Sequence, residues 1–177
     1  MKIIIVPHTH WDREWYFTTQ TSLTLFNSNM DVALNNNYDI KKFYLDGQVS
    51  LVEQYLDYAS NSNRRKFMQL INDEKIMVGP LYSQPDVFNS LGETTIRNTE
   101  IAKKYLKEHN LKSVKVFYCP DSFGFGFNFP QIIKFCGFNK FIFWRGLPKE
   151  NASDDYFNWI GVENSNVNAF RFKYGYW

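Results

Sequence analysis

The stretch Ile3-Ile4-Ile5-Val6-Pro7-His8-Thr9-His10-Trp11-Asp12-Arg13-Glu14-Trp15-Tyr16 decides how the rest of the chain is read. Ile3 to Val6 form a short, β-branched run closed by Pro7, the pattern of a buried strand. Two histidines and a carboxylate follow at once. Side chains alternate faces along an extended segment, so His8, His10 and Asp12 are expected to point the same way. Imidazole nitrogens and a carboxylate oxygen suit a borderline ion such as zinc. The trio therefore reads as the start of a metal site at the carboxyl end of a strand. A His or Asp in such a place can also cap a helix or solvate a loop. Two histidines and an aspartate at two-residue spacing, among aromatic neighbours, tilt the reading towards metal.

Working outward, the apolar periodicity predicts a helix over 19–36, a strand at 43–45, helices over 49–59 and 64–72, and a strand at 76–78. A helix over 93–107, a strand at 114–118, a short helix at 129–135 and a strand at 141–143 follow. Two further strands are expected at 156–160 and 168–172. The strand, loop, helix unit recurs about five times, which points to an α/β fold with a parallel sheet. Polar groups stand directly after each strand: His10 and Asp12, Asp46 and Gln48, Tyr82, Gln84 and Asp86, Asp121, then Arg145. In a parallel barrel or open α/β sheet these positions converge on one edge.

The 177 residues suffice for one domain with a real core, and the net charge of +2 gives no electrostatic case for nucleic acid or a membrane surface. With 17 Phe and 11 Tyr, the chain is read either as building a Phe-rich core or as lining an aromatic pocket for sugar faces. Cys119 and Cys136 have neither a C-x-x-C spacing nor a disulfide framework, so buried free thiols are expected. The first residues are too short for a signal-peptide core, and no run reaches membrane-spanning length. A cytoplasmic protein is expected, in which the acceptor pattern Asn151-Ala152-Ser153 carries no sugar.

Asp121, in a Gly-rich turn after a strand, reads either as a helix N-cap or as a third metal ligand that also acts as a nucleophile. The segments HTHWDREWY (8–16), LDGQ (45–48), GPLYSQPD (79–86), GETTIRN (92–98), PDSFGF (120–125) and FIFWRG (141–146) occur in this order. Together they resemble the N-terminal part of the catalytic domain of glycoside hydrolase family 38 α-mannosidases, in particular bacterial enzymes of the mannosylglycerate hydrolase type. The resemblance covers Ile3 to about Gly146.

The resemblance implies a seven-stranded parallel β/α barrel, present here as an incomplete barrel of about five βα units, with one zinc ion at its mouth. The chain would be a zinc-dependent retaining hydrolase of α-mannosides, either mannosylglycerate or an oligosaccharide. His10 and Asp12 would be zinc ligands, and Asp121 both a ligand and the nucleophile of a mannosyl-enzyme intermediate. Trp15 would stack under the sugar, Phe123 beside it, and Arg145 would orient the nucleophile. His8 would support the site without binding the ion. Asp86 is a secondary candidate for substrate binding. Asp46, Glu93, Arg97 and Asp86 also match family positions; the structural reading is a helix cap for Glu93 and loop hydrogen bonds or ion pairs for the others, and it is preferred for Glu93 and Arg97. His109 reads as a surface charge at a helix end. A further His ligand and an acid/base Asp would come later than Trp177, so residues 1–177 are expected to be the truncated front of a longer domain, for which family analogy allows an oligomer. An inactive mannose-binding remnant is the non-catalytic alternative. A metal-dependent amidohydrolase also carries H-x-H after its first strand, but needs further histidines that do not follow strands here.

Overall fold

The computed structural model describes residues 5–36, 40–151 and 154–176. Three short parallel strands, β1 (His8–Thr9), β2 (Phe43–Leu45) and β3 (Ile76–Met77), form one sheet in that order. A second sheet has the order β4-β5-β7-β6, from β4 (Phe117–Tyr118), β5 (Lys140–Phe143), β6 (Tyr156–Ile160) and β7 (Asn166–Arg171). β4, β5 and β7 run parallel, whereas β6 pairs antiparallel with β7. The strands are therefore not those of a seven-stranded parallel barrel, complete or partial. The physical reason lies in the link between β6 and β7, residues 161–165, where Glu163 and Asn164 adopt positive φ. So short a link makes a hairpin, whereas a parallel return needs roughly a dozen residues.

The seam between the sheets runs between β3 and β4. Beyond these strands the Val114 N–H donates to the Val78 carbonyl at 3.0 Å. On one side of the seam lies a cavity of about 630 Å³ lined by residues of both sheets, among them His8, Tyr44, Met77, Tyr118 and Tyr176. The opening stretch departs from expectation. Ile3 and Ile4 lie outside the described residues, while Ile5 and Val6 are exposed. Pairing is confined to His8 and Thr9, against Tyr44 and Leu45.

Among the described residues, five α-helices cover the sheets: α1 (Thr19–Asn35), α2 (Val49–Tyr58), α3 (Asn61–Asn72), α4 (Gly92–Glu108) and α5 (Phe129–Phe135). α1 starts where the Thr18 side chain accepts the Thr21 N–H, and it buries Phe26, Met30 and Leu34, spaced four apart along one face. α3 begins earlier than its apolar spacing suggests, because Ser60 caps it through the Asn63 N–H. In α5, Pro130 sits in the first turn, and Gly137 follows the end with φ +79°. None of the helices is long and apolar enough to cross a membrane among the described residues.

Two cores result. The first joins α1–α4 to the β1-β2-β3 sheet through residues such as Phe26, Tyr55, Phe67 and Ile71. The second is phenylalanine-rich, with Phe117, Phe129, Phe141 and Phe143 all buried. These rings answer the core reading of the composition, although Trp15, Phe88 and Phe123 stay exposed. Cys119 and Cys136 are buried free thiols. Phe141 is the centre of its cluster, with ring centroids of Phe143, Phe125 and Phe129 at 4.8, 5.2 and 5.4 Å. Phe141→Ala is expected to destabilise the fold by about 3–5 kcal/mol in chemical denaturation; a loss below about 1 kcal/mol would show that this cluster does not hold the second sheet. Of the acceptor pattern at Asn151, Ala152 and Ser153 lie outside the described residues.

Candidate functional site

The loop after β1 carries His10 to the rim of the seam. Its ring is largely enclosed, and Nδ1 lies 3.0 Å from Asp46 Oδ1. Nε2 lies 3.4 Å from Asp12 Oδ1 and 3.5 Å from Asp121 Oδ2. Nε2 is buried and has no hydrogen-bond partner. Burial works to lower the His10 pKa, but the hydrogen bond and charge of Asp46, with the charges of Asp12 and Asp121, outweigh it and raise the value.

Asp121 comes from the loop after β4, so the site draws on both sheets. Arg145, after β5, places Nη2 2.5 Å from Asp121 Oδ1, an ion pair in which that oxygen makes no aligned hydrogen bond. The guanidinium lies over the Phe123 ring at 4.2 Å and the Trp144 ring at 4.9 Å. Two aromatic faces thus fix its plane while one nitrogen meets the carboxylate.

His10, Asp12, Asp121, Phe123 and Arg145 are brought together. Trp15 is exposed and makes its ring contact edge-on with Tyr16, and Asp86 lies on a turn tied to the Asp121 loop by the Val87 N–H donating to Ser122 Oγ. Asp86 caps a short turn, its carboxylate accepting the Phe88 N–H and the Asn89 side-chain amide. His8 faces the cavity between the sheets, its ring 5.9 Å from that of Tyr176. Glu93 and Arg97 form an exposed ion pair at 2.7 Å. His109 stacks on Tyr105 at the end of α4.

Asp46, expected on the rim after β2, is fully buried against His10. Tyr176 is the group that the sequence does not single out. Tyr176 lies edge-on to His10 at 5.0 Å and to Trp144 at 5.3 Å, and it hydrogen-bonds Asp121. Burial, then the charges of Asp121 and Asp12, push its phenol up, so it stays protonated as a donor. The spacing of Asp46 after β2 was a usable signal for its place on the rim. Nothing in the tail distinguished Tyr176 from Tyr174.

The donor set can be tested against an ion. Among the described residues, no group of three or more His, Cys, Asp and Glu side chains is arranged to hold a metal. The separations around His10 Nε2 are nonetheless of the right kind. Ligands about 2.0–2.1 Å from a tetrahedral zinc lie roughly 3.3–3.4 Å apart. An orphaned, buried imidazole nitrogen between two carboxylates is also a donor without a recipient.

The sequence profile of the glycosyl hydrolases family 38 N-terminal domain matches residues 1–177. The chain belongs to glycosyl hydrolase family 38. A relative from Halalkalibacterium halodurans, provisionally named a mannosylglycerate hydrolase, is 30% identical over 148 residues, covering 81% of this chain and 16% of its own. A Saccharomyces cerevisiae α-mannosidase is 27% identical over 116 residues, 63% of this chain and 10% of its own. The chain thus spans a sixth or less of the length of these relatives. Among solved structures, an α-mannosidase from Enterococcus faecalis superposes with a TM-score of 0.84 at 24% identity, over 97% of this chain and 20% of that one. That likeness speaks to the fold. Membership of family 38 removes the amidohydrolase alternative.

Proposed function

We propose that this chain carries the metal-binding and nucleophilic part of a retaining α-mannosidase dependent on a single zinc ion. Supporting the reading above all is the convergence of His10 Nε2, Asp12 and Asp121 at 3.4 and 3.5 Å, with Nε2 buried and unpartnered. His10, Asp12 and Asp121 would hold the zinc, which when bound supplies Lewis-acid contacts to sugar hydroxyls. Asp121 would attack the anomeric carbon as the bond to the leaving group breaks, forming a mannosyl ester that water then hydrolyses. Arg145, with its guanidinium over the Phe123 and Trp144 rings, would orient the Asp121 carboxylate and stabilise its charge. Phe123, with its exposed ring at the rim, would pack against the sugar. Trp15, on the loop after β1, would supply a stacking face once substrate is present. The naming of the Halalkalibacterium relative supports mannosylglycerate as the first substrate to try.

The test is an activated fluoro-mannoside whose good leaving group needs little acid assistance. Incubation with zinc should leave one mannosyl adduct, located at Asp121 by peptide mass spectrometry. Labelling elsewhere, or none with zinc bound, would refute the nucleophile. Arg145→Lys keeps the charge but loses the planar, stacked geometry, so labelling should slow by roughly 10–100-fold. An unchanged rate would remove Arg145 from the orienting role.

A further inference from the structure

We infer that Asp46 is a positioning residue that fixes the tautomer of His10 and so leaves the lone pair on Nε2, the ring nitrogen that faces Asp12 and Asp121. The inference deepens the zinc reading and rests on it for its consequence, though not for its geometry. Asp46 is fully buried at the end of β2 and has φ 43°, a left-handed conformation that Asp and Asn tolerate better than most residues. Strain of this kind is kept where surrounding structure enforces it. The next residue, Gly47, has φ +70°, and a Cβ there would come within 2.8 Å of Gln84 Nε2. Gln84 Nε2 in turn donates to the Asp46 carbonyl at 2.9 Å and the Tyr118 carbonyl at 3.3 Å, tying the turn to the second sheet.

The carboxylate is surrounded by donors. Oδ2 accepts the Trp11 N–H at 2.8 Å and Gln48 Nε2 at 2.6 Å, and Gln48 Nε2 also reaches the Trp11 carbonyl. Oδ1 is left for His10 Nδ1 at 3.0 Å. A carboxylate only accepts, so the ring must present Nδ1–H to it. In the neutral imidazole the lone pair is then on Nε2, the nitrogen that lies between Asp12 and Asp121. A carboxylate behind a histidine in this way orients the ring and strengthens it as a ligand.

The carboxamide of Asp46→Asn has nearly the same shape, but it can accept on one side only. Its oxygen stays with the Trp11 N–H and Gln48, and its NH₂ faces His10 Nδ1. Nδ1 becomes the acceptor and the proton moves to Nε2. Long-range ¹H–¹⁵N spectra of the metal-free chain at mildly alkaline pH read the tautomer directly. The wild type is expected to carry Nδ1–H and Asp46→Asn to carry Nε2–H, with zinc affinity, titrated against a chelating indicator, lower by roughly 10–100-fold. Nε2–H in the wild type, Nδ1–H retained in a folded Asp46→Asn, or equal zinc affinity despite a changed tautomer would each overturn the inference. The wild-type spectrum decides the matter even where the variant does not fold. A wild-type chain with Nδ1–H that takes up no zinc would overturn the metal reading of the site while supporting this role of Asp46.

Discussion

Asp121→Asn is expected to abolish mannosyl transfer. With the activated mannoside, labelling and leaving-group release should both fall on the order of ten-thousand-fold or more, as is usual when a covalent nucleophile is removed. The expectation follows from position as well as chemistry. Asp121 Oδ1 is paired with Arg145 and Oδ2 lies beside His10, so the carboxylate has charge partners on both sides. The amide removes the negative charge that Arg145 holds in place. Release within about tenfold of the wild type would show that another group attacks, or that water is attacked directly. Zinc uptake by the same variant separates its two roles. A weaker but measurable affinity with no labelling is the expected pattern, because His10 and Asp12 remain.

His10→Ala is expected to cost the metal altogether. Zinc content after dialysis should fall from about one ion per chain to a trace, and affinity should drop by more than about 100-fold, beyond the effect of a merely supporting residue. Undiminished zinc would refute the ligand role. His8→Ala provides the contrast. Its ring faces the cavity beside Tyr176, with Nδ1 against the Thr9 carbonyl, so zinc content should change little.

Much of the arrangement was legible because strands and helices announce themselves by periodicity. The spans of α1, α2, α4, α5 and β2 follow their apolar spacing closely. The rule that polar groups after strands gather on one rim brought His10, Asp46, Asp121 and Arg145 together from four separate segments. What failed did so for physical reasons. Ile5 and Val6 look like strand core, yet the strand begins only at His8, after Pro7, and their apolar side chains stay exposed. The parallel-barrel reading gave too little weight to the short link before β7, which forces an antiparallel pair. Tyr176 could not be singled out because its place depends on where the chain turns after β7.

The Val114 amide offers a clock for a motion that the site must survive. It binds the Val78 carbonyl across the seam, with His10 and Asp12 on one side of that join and Asp121 and Arg145 on the other. Any breathing of one half against the other therefore alters the spacing of the chemical groups before it disturbs either core. Exchange of that one amide with deuterium would time the breathing, and an ion gripped from both banks should slow it by mass action.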